Sequence, residues 1–227
     1  MLYIIGLGLN ERGLSFEGIE ALKKCEKIYL ESYTVEFPYG IKELENITAN
    51  KIIPINRELV ESDKLVNESK KENIALLVYG SPLTATTHIT LIQEAKKQKV
   101  ECKIIYNASV FDAVAETGLQ LYKFGKIASI PKFEANSFIE TVKENQKINS
   151  HSLILADIGL EFRDAIKRIE NLTKGKIVVC EKLGTNDSKI YYNFISNLKN
   201  LNIKAPFCFV IPGKLHYLEE EVLESFT

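Results

Sequence analysis

Long apolar runs, a net charge of one sign and closely paired cysteines are all missing from this sequence. No apolar run comes near the ~18 residues of a membrane-spanning helix, so we expect no membrane partner. The 227 residues have a formal net charge of −1, which gives no bulk attraction for nucleic acid. The chain starts with apolar residues and lacks the basic lead of a signal peptide. We therefore expect a cytoplasmic protein that binds no nucleic acid.

Residue sets typical of metal sites and of common hydrolases are also missing. The four cysteines form no Cys-x-x-Cys pair, which favours buried reduced thiols over zinc ligands: Cys25, Cys102, Cys180 and Cys208. The three histidines lie far apart in the sequence, so no metal site is predicted. The chain contains no Gly-x-Ser-x-Gly elbow and no Walker loop, and neither a hydrolase nor a kinase has support.

The three histidines and one acidic run receive separate interpretations. His88 opens a predicted helix, and both a core or capping role and a functional role stay open for it. His216 follows a turn at the mouth of a predicted strand, where we expect it to face a ligand. His151 lies in a polar loop and is expected to be solvated. The run Glu219-Glu220-Glu221 is typical of a solvated helix face.

Apolar strand-like runs alternate with amphipathic helix-like runs, which predicts an α/β fold with mainly parallel sheets covered by helices. The predicted strands are residues 2–9, 27–32, 51–55, 74–79, 101–106, 127–130, 152–156, 176–180 and 207–211. Helical patterns cover residues 15–25, 57–72, 87–98, 109–119, 135–146, 162–172, 188–198 and 215–226. A change of pattern at residues 108–125, without a Gly-, Pro- or Ser-rich linker, predicts two packed domains, 1–110 and 111–227.

Small-residue motifs follow three of the predicted strands. Gly6-Leu7-Gly8 lacks the third glycine of a dinucleotide fingerprint, because Glu11 stands at that position. It therefore indicates either a sharp turn beside a ligand or a plain strand-to-loop turn. The hydroxyl-rich stretch from Tyr79 to His88 links a buried strand to a helix, where free backbone N–H groups can meet a ligand. With Pro212-Gly213-Lys214-Leu215-His216, these motifs suggest an enzyme that binds a small cofactor at strand ends.

Four motifs in order resemble one known family across nearly the full length of the chain. They are the run from Leu2 to Leu9, the run from Pro82 to His88, the run from Thr117 to Lys126 and the run from Pro212 to His216. The chain resembles the diphthine synthase family, a branch of the tetrapyrrole (precorrin) methylase superfamily. Its Ala-Thr-Thr-His, Tyr-Lys-Phe-Gly and Pro-Gly-Lys-Leu-His runs are specific to that branch.

The resemblance implies a fold, a cofactor and a substrate. It implies two packed α/β domains of the tetrapyrrole methylase type, a homodimer, and S-adenosylmethionine in the interdomain cleft. It also implies methylation of the amino group of the modified histidine of translation elongation factor 2, in diphthamide biosynthesis. The positions that match the family's cofactor contacts are Leu9, Ser81, Thr84, Ser109, Val110, Ala156, Tyr192 and His216. Methyl transfer from a sulfonium requires alignment rather than a nucleophilic side chain or a metal, and no catalytic residue is named.

Ser81 departs from the family pattern, which usually has Asp at this position. A serine offers one donor and acceptor but no charge, so an interaction worth ~1.5–3 kcal/mol is lost. Two alternatives stay open beside the methylase of elongation factor 2, and Ser81 motivates only the second of them. One is a related methylase acting on a tetrapyrrole or another small molecule, and the other is a weakened cofactor-binding relative.

Overall fold

Apolar runs of the first part of the chain form a five-stranded sheet in which every strand is parallel to its neighbours. The computed structural model describes residues 1–227, which divide into two units, Met1–Val110 and Phe111–Thr227. The spatial order of the first sheet is β3-β2-β4-β1-β5. Its strands are β1 (Leu2–Gly6), β2 (Lys27–Glu31), β3 (Ile53–Ile55), β4 (Ile74–Val78) and β5 (Cys102–Ile105).

The two central strands of this sheet are buried on both faces, as is usual for parallel sheets. All five residues of β1 and of β4 are buried. Alternate residues point to opposite faces, so Ile5 and Leu77 join one apolar cluster whereas Ile4 and Leu76 join another. The helices of this part of the chain are α1 (Phe16–Leu22), α2 (Ile41–Thr48), α3 (Arg57–Glu61), α4 (Lys64–Ser69) and α5 (Ile89–Lys97), and α6 (Val110–Ala113) begins at the last residue of the first unit.

The second unit contains a mixed sheet with the order β6-β7-β10-β8-β9. Only β6 and β7 are parallel, while the other three pairs are antiparallel. Its strands are β6 (Ala128–Ile130), β7 (Ser152–Ala156), β8 (Ile177–Glu181), β9 (Lys189–Asn193) and β10 (Phe207–Ile211). Its helices are α7 (Ser137–Lys147), α8 (Phe162–Ile169), α9 (Ile195–Leu198) and α10 (Tyr217–Glu224). One apolar cluster fills its core, with Phe162, Phe207 and Phe209 in mutual ring contact.

Most of the predicted elements are confirmed, and three predictions are wrong. The mainly parallel arrangement holds for the first sheet but not for the second. The helix predicted over 188–198 is instead β9 followed by the short α9, because β9 pairs along its length with β8. The helical pattern over 57–72 is split into α3 and α4, since Ser62 is extended. Helix α2 was not predicted.

Two further features bear on function. Strand β4 lies between β1 and β2, so the first two strands are not neighbours as they are in a dinucleotide-binding βαβ unit. None of the helices combines the length and the apolar character that crossing a bilayer requires.

Candidate functional site

The carboxyl ends of β4, β1 and β5 lie side by side, and the loops that follow them meet. The Gly8 N–H donates to the Gly80 carbonyl oxygen at 3.2 Å, and the Gly80 N–H donates back to the Gly8 carbonyl oxygen at 2.9 Å. A Cβ atom built on Gly80 would lie 3.6 Å from the Ser109 Cα atom, so the loop after β5 adjoins this pair. Ligands of open parallel sheets bind at such carboxyl edges.

Five of the eight predicted cofactor residues belong to these three loops. Leu9 follows β1, Ser81 and Thr84 follow β4, and Ser109 and Val110 follow β5. Leu9, Ser81 and Ser109 are 7%, 8% and 5% exposed, and the other two are half-buried. The Thr84 N–H donates to the Ser81 carbonyl oxygen at 3.1 Å and closes the turn. The structure therefore brings these five residues to one edge of the first sheet.

Glycine is required where the loops cross. Gly8 and Gly80 have φ values of +71° and +69°, a region that side chains with a Cβ atom rarely adopt. At the end of β1, a Cβ atom on Gly6 would lie 2.6 Å from the Gly80 carbonyl oxygen. The approach of the two backbones thus depends on the absence of side chains, which explains the Gly-x-Gly motif without a dinucleotide.

Two residues of this edge were missed by the sequence interpretation. The Asn107 side-chain amide donates to the carbonyl oxygens of Gly6 at 3.0 Å and Gly13 at 2.8 Å. The Tyr79 hydroxyl donates to the Leu9 carbonyl oxygen at 3.0 Å, and burial raises the pKa of Tyr79. Tyr79 directly follows the buried strand β4 and Asn107 comes two residues after the end of β5, and these positions were the available signal.

His88 is a buried residue that ties the turn to β2. It is 0% exposed and directly precedes α5. Its Nδ1 atom lies 3.0 Å from the Pro82 carbonyl oxygen, which can only accept, so Nδ1 carries a proton. Its Nε2 atom lies 3.4 Å from the Tyr33 hydroxyl and 3.6 Å from the buried Glu31 carboxylate. Of the two open interpretations, this geometry fits the core role.

The three predicted cofactor residues of the second unit lie at different ends of its sheet. Ala156 is the last residue of β7. The first residue of β7, Ser152, pairs with Ile211, the last residue of β10. His216 follows Ile211 and therefore lies toward the end of the sheet opposite to Ala156. Tyr192 of β9 pairs with the second residue of β8 and lies at the same end as Ile211. Ala156 is therefore separated from the other two by the length of the strands.

Tyr192 is packed rather than presented to solvent. Its side chain is 7% exposed, and the Lys176 Nζ atom lies 5.0 Å from the centre of its ring. Its N–H donates to the Phe226 carbonyl oxygen at 2.9 Å, which joins β9 to the end of the chain. These contacts give Tyr192 a structural role that the sequence did not indicate.

His216 is exposed and caps the amino end of α10. Its Nδ1 atom accepts the Leu218 N–H at 3.4 Å, and its ring centre lies 4.3 Å from that of Tyr217. It lines a cavity of about 460 Å³, a size suited to a small ligand. The other lining residues are Tyr122, Lys123, Ile148, Asn149, Ser150, Lys214 and Leu215.

A buried carboxylate lies beneath this cavity. Glu219 is 0% exposed, and its two oxygens accept from the N–H groups of Gln120 at 2.9 Å and His216 at 2.7 Å. They also accept from the Lys123 ammonium and from the His151 Nε2 atom, the latter at 3.0 Å. Burial alone would raise the pKa of Glu219, but these hydrogen bonds outweigh it and lower the pKa to about 2. The prediction that the acidic run is a solvated helix face is therefore wrong for Glu219.

His151 is the second buried member of this cluster and is not solvated as predicted. It is 0% exposed, with the Phe124 ring 5.3 Å away. Its Nδ1 atom accepts the Gly213 N–H at 2.9 Å, so the hydrogen-bond pattern assigns the proton to Nε2, facing Glu219. Burial lowers the pKa of His151 despite the nearby carboxylate, which keeps the ring neutral.

Comparison with known proteins agrees with this architecture. The family model described as tetrapyrrole (corrin/porphyrin) methylases matches residues 1–199. The chain belongs to this family. A protein named diphthine synthase from Methanococcus maripaludis is 37% identical over 249 aligned residues, covering 99% of this chain and 98% of the relative. One named diphthine methyl ester synthase from Saccharomyces cerevisiae is 41% identical over 186 residues, covering 78% of this chain and 61% of that protein.

A solved structure gives the same result for the fold. A crystal structure of diphthine synthase superposes with a TM-score of 0.93 at 28% identity, covering 100% of this chain and 95% of that chain. The resemblance drawn from the four motifs is thus confirmed, and the fold is the two-sheet α/β fold of the tetrapyrrole methylases.

Proposed function

We propose that this protein is an S-adenosylmethionine-dependent methyltransferase of diphthamide biosynthesis. In this proposal it methylates the amino group of the modified histidine of translation elongation factor 2. The observation that carries the proposal is the likeness, over 99% of this chain, to archaeal relatives named diphthine synthase. The yeast relative named diphthine methyl ester synthase, which matches 78% of this chain, agrees with it. We further propose that the protein works as a homodimer in the cytoplasm.

The residues at the edge of the first sheet fit the proposed cofactor. Gly8 and Gly80 leave the backbone bare where the loops cross, so a ligand can approach it closely. The hydroxyl groups of Ser81, Thr84 and Ser109 can bond the polar groups of S-adenosylmethionine, while Leu9 and Val110 offer apolar surface. In the second unit we propose contacts from Ala156, Tyr192 and His216.

The proposed reaction requires the side chains mainly to position the cofactor and the substrate. When bound, S-adenosylmethionine supplies a sulfonium methyl group, which passes to an amine nitrogen as the carbon–sulfur bond breaks and the amine loses a proton. The strand-end loops must hold the reacting atoms in line and exclude water from them. The buried Ser81 and Ser109 and the mutual hydrogen bonds of Gly8 and Gly80 suit this task, since they fix the loops before any ligand binds.

A two-step experiment tests the proposal. Calorimetry with S-adenosylmethionine should give saturable binding, and no binding at millimolar cofactor would contradict any methylase function. Incubation with labelled cofactor and elongation factor 2 carrying the amino-carboxypropyl-histidine should then transfer label to the protein. Label transfer to a precorrin instead would support the small-molecule alternative. Binding with no transfer to either would support a weakened relative.

A further inference from the structure

The buried Glu219 carboxylate joins three stretches of chain that are far apart in the sequence. It accepts from the stretch of Gln120 and Lys123, from His151, and from the backbone of His216. A buried carboxylate is costly unless its oxygens are fully bonded, and each oxygen of Glu219 accepts from two donors. Methyl transfer itself has no use for this carboxylate. Its presence therefore calls for another role.

The geometry of His216 depends on this carboxylate. Glu219 is the third residue of α10 and accepts the His216 N–H at 2.7 Å, which forms a capping box with the histidine at the helix start. The His216 Nδ1 atom is occupied by the Leu218 N–H. The Nε2 side of the ring is thereby left for the cavity that His216 lines.

The same carboxylate fixes another part of the cavity wall. Lys123 also lines the cavity, and its ammonium bonds both Glu219 and the Lys214 carbonyl oxygen, the latter at 2.7 Å. His151 bonds Glu219 through its Nε2 atom, and its Nδ1 atom accepts the Gly213 N–H at 2.9 Å. Gly213 lies in the turn before His216, so His151 links Glu219 to that turn. Lys123, Lys214 and His216 thus occupy positions that follow from one buried group.

We propose that Glu219 is a positioning residue that holds His216 and Lys123 in place for cofactor binding. This inference rests on the proposed function, in which His216 contacts S-adenosylmethionine. A carboxylate is needed because all four of its partners are donors, and an amide at this position would turn one of its two sides into a donor. Two of the four donors would then lose their acceptor, either Lys123 and His216 on the Oε2 side or Gln120 and His151 on the Oε1 side.

The test compares Glu219→Gln with Glu221→Gln, a matched change on an exposed position of the same helix. Calorimetry with S-adenosylmethionine reports the dissociation constant and, through the stoichiometry, the folded fraction. We expect Glu219→Gln to raise the dissociation constant about tenfold or more at unchanged stoichiometry, with Glu221→Gln equal to wild type. A purely structural role would lower the stoichiometry and leave the dissociation constant unchanged, which would overturn the inference.

A second variant keeps the test decisive if Glu219→Gln does not fold. Glu219→Asp keeps the charge but withdraws the carboxylate by one methylene, so it should also weaken cofactor binding. Wild-type affinity in the aspartate variant would overturn the inference, because the reach of the carboxylate would then not matter. Failure of the wild-type protein to bind the cofactor would instead contradict the proposed function, and the two failures are distinguishable.

Discussion

Replacing Gly6 with alanine should destabilise the protein and weaken cofactor binding together. The added Cβ atom would lie 2.6 Å from the Gly80 carbonyl oxygen, 2.9 Å from the Asn107 Cβ atom and 3.0 Å from the Pro82 Cδ atom. The closest of these neighbours is backbone and cannot rotate away. The segment from Gly80 to Pro82 must therefore move, and this segment contains Ser81.

The size of the effect follows from two opposing terms. Overpacking of this kind destabilises a protein by about 1–3 kcal/mol. Replacing glycine by alanine also lowers the conformational entropy of the unfolded chain, which stabilises the folded state by about 0.4–1 kcal/mol. We expect the free energy of unfolding to fall by about 1–2 kcal/mol in urea titrations. The same displacement of Ser81 should raise the dissociation constant of S-adenosylmethionine about tenfold, which corresponds to about 1.4 kcal/mol.

Gly175→Ala is the control for this prediction. Gly175 lies in an exposed loop, and a Cβ atom there would meet only the Thr173 Oγ1 atom, at 3.5 Å. This variant should unfold and bind as wild type does. If Gly6→Ala also behaves as wild type in both assays, the close crossing of the two loops is not what shapes the site.

Three further predictions concern charge and burial. Glu219→Gln should lower the free energy of unfolding at neutral pH by about 3 kcal/mol, since each pKa unit of the lowering from 4.5 to about 2 is worth about 1.4 kcal/mol. As the pH falls, the Glu219 carboxylate becomes protonated in the unfolded chain before it does in the folded protein. The difference in unfolding free energy between wild type and variant should therefore be full above pH 4.5 and narrow toward about pH 2 in urea unfolding. A difference that does not change with pH would contradict this prediction. Ser81→Asp should tighten S-adenosylmethionine binding about tenfold in calorimetry, because it restores a charged partner; unchanged or weaker binding would indicate a loop rebuilt around serine. Burial raises the pKa of Cys25 and Cys102 to about 11, so a thiol reagent should modify them slowly near neutral pH and faster in alkali; rapid labelling of the native protein at neutral pH would refute this.

The buried inner strands of both sheets could be predicted because their signal is local. Strands buried on both faces read as continuous apolar runs, and β4 of the parallel sheet and β10 of the mixed sheet were predicted within one residue of their observed bounds. Strand β9 could not be found in this way. Its residues Ile190, Tyr191 and Tyr192, followed by Ile195 and Leu198, also match a helical spacing, and only pairing with β8 makes them a strand.

Two sources made the site predictable in the first unit. The small residues after the buried strand β4 indicated a ligand site at its carboxyl end, whereas Leu9, Ser81 and Ser109 were named by the family resemblance, and the parallel pairing of β1 with β4 and β5 brings them to one edge. The buried pair of His151 and Glu219 could not be placed, because the two residues are 68 positions apart. Glu219 differs from its acidic neighbours only by standing three residues after the helix cap, and that spacing was its one local signal.

Residue-resolved mass spectrometry of elongation factor 2 tests the central claim most directly. The protein, S-adenosylmethionine and elongation factor 2 carrying the amino-carboxypropyl-histidine would be incubated together, and the peptide that contains the modified histidine would be fragmented. The proposed function predicts whole methyl increments located on the side chain of that histidine. An unmodified peptide, under conditions in which calorimetry shows the cofactor bound, would contradict it.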